Sequence, residues 1–146
     1  MSAETTMQPC DELKDLVLQN FEKEASGKII EVVQSSYSHR EEAIIIGSDF
    51  KHWIEGYDAI YNCYAPADGT PLNIRVDTLK AYCEGTVGWT VDRVWLIQPN
   101  GDEIPIRHTR IFHKEDGTWR IVHNHVSIAV SDEKIEAGGS KIRLHK

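Results

Sequence analysis

At 146 residues, with 40% hydrophobic and 27% charged residues, the chain has the composition of one globular domain able to bury roughly 70% of its unfolded surface. A net charge of −7 leaves no concentrated basic face for phosphate, so no nucleic-acid partner is expected. No apolar window nears the roughly 18 residues of a membrane span, and residues 1–8 carry neither part of an export signal, so no membrane partner and a cytoplasmic location are expected.

The first element is predicted over residues 10–25, where Leu13, Leu16, Val17 and Phe21 repeat on one helical face. Asp11 and Glu12 occupy its first turn, where the helix dipole favours carboxylates. Ser26 and Gly27 break the rhythm, and a second helix follows over residues 28–37 with Ile29, Ile30, Val33 and Tyr37 as its stripe. Residues 43–46 are a short β-rich run closed by Gly47. Residues 49–64 keep a helical rhythm through Trp53, Ile54, Tyr57, Ile60 and Tyr61, interrupted at Gly56.

From Asn73 the period becomes two. Ile74 and Val76 alternate, and the parity then flips near Asp77 and Thr78 to Leu79, Ala81 and Cys83, as a β-bulge requires. Strands are expected over 89–98, 103–114 and 119–130, joined at Asn100-Gly101 and Asp116-Gly117 by hairpin turns. Helices followed by a meander of long strands mean an α+β fold: N-terminal helices packed on a strongly curved antiparallel sheet that forms a cone with an interior. The domain is expected over 8–131, with 132–146 as a loose tail that includes the short basic cluster at 141–146.

The chemistry-bearing residues concentrate in the last hairpin. Plain alternation places Trp119, Ile121, His123, His125 and Ser127 on one face of the final strand, and Val122, Asn124, Val126 and Ile128 on the other. Two imidazoles on one strand face stand about 7 Å apart, a zinc geometry if His108 or Glu84 supplied a third ligand. The plainer expectation is metal-free: His123 and His125 as neutral hydrogen-bonding groups in a pocket or at a subunit contact. Arg110 lies mid-strand among apolar residues, where a guanidinium needs an anion. Either Asp92, Glu84 or Asp58 pairs with it, or it anchors a ligand carboxylate, with Arg93 as a second such group. The four tryptophans, Trp53, Trp89, Trp95 and Trp119, read as packing residues, with one of them flooring a cavity as the alternative. Asp49, just after the first strand expected at residues 43–46, is a candidate general base. Cys10, Cys63 and Cys83 have no metal spacing and read as reduced thiols.

The runs Trp53-Ile54-Glu55-Gly56-Tyr57-Asp58-Ala59-Ile60, Gly88-Trp89, Arg107-His108-Thr109-Arg110, Asp116-Gly117-Thr118-Trp119 and Val122-His123-Asn124-His125-Val126-Ser127 resemble the nuclear transport factor 2-like superfamily, and within it the SnoaL-like group. The last hairpin also resembles the association domain of calcium/calmodulin-dependent protein kinase II. The resemblance spans residues 12–130. It implies a cone-shaped, cystatin-like α+β barrel, a homodimer formed through the outer sheet face, and a pocket between helices and sheet. The match to the association domain implies that Arg110 lines a pocket for small carboxylates. The expected ligand-binding residues are Arg110, Arg93, His123, His125, Trp53, Trp89 and Tyr57. Ketosteroid isomerase shares the superfamily, but this chain has no tyrosine in its first helix to serve as that enzyme's oxyanion donor.

The leading functional expectation is therefore a small-molecule-binding domain whose ligand is anionic or a carboxylate, with no cofactor and a second copy of itself as partner. A cofactor-independent isomerase, cyclase or dehydratase using a pocket acid and base is the alternative, and an oligomerisation module is the second. A polar cavity equipped with an acid and a base favours the enzyme; an apolar cavity with one arginine favours the carboxylate binder.

Overall fold

A computed structural model describes residues 6–139. It contains β1 (Gln8–Pro9), α1 (Asp11–Ala25), α2 (Ile29–Ser36), β2 (Ile44–Ile46), β3 (Trp53–Glu55), α3 (Tyr57–Tyr64), β4 (Asn73–Glu84), β5 (Val87–Ile97), β6 (Glu103–Glu115), β7 (Thr118–Ile128) and α4 (Asp132–Ala137). One seven-stranded sheet runs in the order β1-β4-β5-β6-β7-β2-β3. The α+β class and the curved sheet under N-terminal helices are as expected.

Local differences have simple causes. The helical rhythm of 49–64 divides at Gly56, whose φ of 89° ends β3 and admits α3 only because glycine has no Cβ. β2 runs parallel to β7, with Ile44 beside His123 and Ile46 beside His125, so the sheet is antiparallel everywhere except at that pair. Part of the expected loose tail is helical: Ser131 caps α4 by accepting a hydrogen bond from the Lys134 N–H at 3.3 Å. The basic cluster at 141–146 lies outside the described residues.

The core forms where α1 lies across β4 and β5. Leu13, Val17 and Phe21 meet Leu79, Ala81, Val94 and Phe112, and a Cβ on Gly88 would collide with the Leu13 side chain. Two bulges then set which residues face inward. The first, between Val76 and Thr78, is at the position its parity flip predicts. The second was not anticipated. Ile111 pairs with His123 but Phe112 pairs with Ile121, so Val122 is the extra residue in β7. Trp119 and Ile121 point inward before it; after it the inward positions pass to Asn124 and Val126, and His123, His125 and Ser127 turn outward.

Candidate functional site

Between α1, α2 and the concave sheet lies a cavity of about 180 Å³. Its walls are mostly apolar, with Ile29, Val32, Leu72, Ile74, Leu96 and Ile106 among them, and its polar residues are Asn20, Glu24, Tyr37, Tyr64, His108, Arg110 and Asn124.

Asp92 organises the polar end. Its side chain is fully buried on the inner face of β5, and its two oxygens serve different partners. Oδ2 accepts from Arg110 Nη1 at 2.6 Å, and Oδ1 lies 2.8 Å from His108 Nδ1. Burial raises the Asp92 pKa, but the hydrogen bonds and positive charge supplied by His108 and Arg110 outweigh it and hold the carboxyl below its ordinary value. Burial lowers the His108 pKa more than Asp92 raises it, and the Arg110 charge adds to the lowering. His108 is accordingly neutral near pH 7, donates Nδ1–H to Asp92, and carries its lone pair on Nε2, which has no partner among the described residues.

Helix α1 closes this end. The Phe21 ring covers the Arg110 guanidinium at 5.3 Å and lies 6.1 Å from the His108 ring. One turn later Glu24 reaches the cavity. It keeps some accessible surface because it borders the open space, yet protein surrounds its carboxyl, which makes no hydrogen bond or ion pair among the described residues. Desolvation raises its pKa to about 7, with Arg110 opposing and Asp92 reinforcing that rise. On the opposite wall Asn124 Nδ2 donates to the Tyr37 hydroxyl at 2.8 Å, and the Tyr37 and Tyr64 hydroxyls also interact. Burial raises both phenol pKa values, so both stay protonated donors.

Of the residues expected at the site, Arg110 alone lines the cavity, and its counterion is Asp92, one of the three partners its position suggested. Arg93 is on the outer face and pairs with Asp77 at 2.8 Å. His123 and His125 stand on that face with rings 6.4 Å apart and edge-on, turned away from the cavity by the Val122 bulge. No group of three or more His, Cys, Asp or Glu side chains among the described residues is arranged to hold a metal. Trp53 is exposed at the sheet edge, and Trp89 packs on Tyr82 at 6.2 Å on the outer face. Tyr57 stacks on His39 at 4.1 Å, away from the cavity. Asp49 is an exposed turn residue whose Oδ1 accepts from the Lys51 N–H at 2.8 Å.

Residues missed as site residues left signals. Glu24 extends the buried stripe Leu13, Val17, Asn20, Phe21 by one more step, a carboxylate where the pattern calls for an apolar side chain. Asp92 stands between Thr90 and Val94 in an inward alternation.

The SnoaL-like domain family matches residues 17–131, most of the chain. The protein belongs to the SnoaL-like domain family. No curated protein matches its sequence. Among solved structures, this SnoaL-like domain is similar to an NTF2-like protein of unknown function from Pseudomonas putida KT2440, with a TM-score of 0.74 at 14% identity over 85% of this chain and 89% of that one. An NTF2-like protein of unknown function from Shewanella oneidensis MR-1 matches at 0.65 and 20% identity, over 80% and 97%. A candidate ketosteroid isomerase from Parabacteroides distasonis ATCC 8503 matches at 0.68 and 15% identity, over 80% and 85%. At these identities the likeness establishes the nuclear transport factor 2-like, cystatin-like fold of this SnoaL-like domain and nothing more specific.

Proposed function

We propose that the cavity binds a small molecule and moves a proton on it without a cofactor, which makes the chain an isomerase or dehydratase type of enzyme. The observation that carries this reading is the Asp92-anchored imidazole of His108, a cavity-lining residue whose Nε2 has no partner among the described residues. A carboxylate that fixes one ring nitrogen sets the tautomer and aims the other as a base. Glu24, held protonated toward neutral pH, and the Tyr37 hydroxyl supply donors for an oxygen on which charge develops.

The carboxylate-binding expectation fits this charge balance less well. Asp92 already compensates Arg110, and ionisation of Glu24 leaves the site net negative, so an anionic ligand would meet no excess positive charge. A neutral carbonyl or hydroxyl compound suits it better.

The test is hydrogen–deuterium exchange at the α-carbon of small cyclic ketones in D2O, followed by NMR. The wild type is expected to accelerate exchange above buffer, and His108→Gln to lose about 10²–10⁴-fold of that acceleration. Ketones that bind without accelerated exchange would leave a binding domain as the function.

We also propose a second copy of the chain as partner, docked on the outer sheet face. Plain alternation puts Val122, Val126 and Ile128 on one strand face, but they form no outer apolar patch, because Val126 lines the cavity and Val122 sits in the bulge. In its place a cross-strand row runs Tyr82, Trp89, Ile111, His123, Ile44 through the paired strands, beside the exposed Val87 and Val91. A partly apolar, exposed row of this kind supports a self-association surface on this face. Light scattering at micromolar concentration is expected to give a dimer that Trp89→Arg converts to monomer; a monomeric wild type would refute the pairing.

A further inference from the structure

Two cavity-lining residues carry polar groups that the described residues leave unpaired without sealing them away. The Glu24 carboxyl makes no hydrogen bond or ion pair among the described residues, and His108 Nε2 makes none either, its Nδ1 being committed to Asp92. The unpartnered polar atoms that lack accessible surface are others: Thr90 Oγ1, Trp119 Nε1 and Asn124 Oδ1. An occupant of the cavity is therefore the candidate partner for Glu24 and His108.

Charge decides what that occupant offers. The titratable and charged groups around Glu24 are Arg110 and His108 on β6, Asp92 on β5, Tyr37 after α2 and Tyr64 on α3. Burial keeps both phenols protonated and His108 neutral near pH 7, and Arg110 is spent on Asp92 at 2.6 Å. Ionisation of Glu24 thus adds a negative charge that no cation of this group is left to compensate. A carboxylate and a neutral imidazole nitrogen are both acceptors, so the two unpaired groups call for the same thing, a hydrogen-bond donor.

We infer that the cavity is also a binding site for small primary amines in their ammonium form, with the ionised Glu24 carboxylate as counterion and the hydrocarbon body against the apolar wall. The wall suits such a ligand: Ile29, Val32, Leu72 and Ile74 are apolar, and Tyr37 and Tyr64 add aromatic surface, which attracts cations. The size agrees, since an apolar cavity of roughly 150 Å³ holds benzene and this one measures about 180 Å³. Neutral and ammonium ligands then belong to different protonation states of Glu24. Because its pKa is about 7, the exchange falls near neutral pH, and below it an incoming ammonium must expel the Glu24 proton.

The inference rests on the cavity being a small-molecule site, and one calorimetric series keeps the two apart. Cyclopentylamine, cyclopentanol and cyclopentanone share one ring and are titrated into the full chain. Cyclopentylamine is expected to bind about ten-fold more tightly at pH 8 than at pH 6, the change that ionising one group of pKa about 7 allows. At the lower pH it is expected to release close to one proton, read from buffers of different ionisation heat. The alcohol and the ketone are expected to bind no more tightly at the higher pH. Glu24→Gln is expected to lose the pH dependence and to bind the amine no better than cyclopentanol, whose retained binding shows an intact cavity. Glu24→Asp, which keeps the charge, is expected to keep the pH-dependent amine binding. An amine that the wild type binds no better than cyclopentanol at the higher pH would overturn the inference and leave the cavity as a ligand site. So would an amine preference that survives in Glu24→Gln. If none of the three compounds binds, the small-molecule reading and this inference fall together.

Discussion

Asp92→Ala is expected to destabilise the chain by about 3–5 kcal/mol, the cost that removal of one partner from a buried ion pair commonly carries. The reason is the charge left behind. The Arg110 side chain is 8% exposed and its only ion-pair partner among the described residues is Asp92, so the substitution strands a guanidinium under the Phe21 ring. His108 loses the acceptor for Nδ1–H at the same time. Native domains have roughly 5–15 kcal/mol of total stability, and the loss is therefore readable as a large fall in the urea midpoint. Removing both charges should undo much of it: Asp92→Ala with Arg110→Met is expected to be more stable than Asp92→Ala alone, because the desolvation cost of the stranded cation disappears. A single variant within about 1 kcal/mol of wild type would mean that water or Glu24 neutralises Arg110 as well as Asp92 does.

Glu24→Gln should act in the opposite direction, and only above a certain pH. The Glu24 pKa is raised from 4.5 to about 7 in the folded chain, so folding favours the protonated carboxyl. A raised folded-state pKa contributes stability that is complete below the unfolded value and is lost as pH climbs through the folded one. The wild type should therefore lose stability between about pH 4.5 and 7 through this group, by about 3 kcal/mol in all at roughly 1.4 kcal/mol per pH unit. Glutamine keeps the shape and cannot ionise. The variant is expected to match the wild type near pH 4 and to exceed it by up to about 3 kcal/mol at pH 8. The comparison must be the difference between the two proteins at each pH. Asp92 and His108, both with lowered pKa values, lose stability as pH falls, and that contribution cancels only in the difference. A difference that stays flat from pH 4 to 8 would show that Glu24 ionises as an ordinary solvated carboxylate. A site that keeps such a destabilising group invites a functional reason, and a protonated donor lining the same cavity as the His108 base is that reason under the proposed function.

How far the amino-acid sequence alone determined this protein follows from the range of the forces involved. Helix α1 was legible from the spacing of Leu13, Val17 and Phe21, the hairpin turns from Asn100-Gly101 and Asp116-Gly117, and the first bulge from the parity flip at Asp77. Each of these is a local pattern in which period and turn chemistry agree. Together with the motif resemblance they were enough for the α+β class and the superfamily.

The site itself was not local. Its residues come from α1, α2, α3, β4, β5, β6 and β7, and their meeting depends on register. The Val122 bulge is the clearest case. No change of apolar parity announces it, because Ile121, Val122 and Val126 are all apolar, so simple alternation carried through it and exchanged the faces of β7. That single extra residue sent His123 and His125 to the outer surface and brought Asn124 into the cavity. The partner of Arg110 was likewise open among three acids until β5 and β6 paired with Asp92 opposite His108. Glu24 had the periodicity of a core residue and the chemistry of a surface one, and only the packing of α1 over the sheet decided that its carboxyl would be enclosed. A strand's period determines which residues alternate; tertiary pairing, through bulges and register, determines which of the two sets faces the cavity.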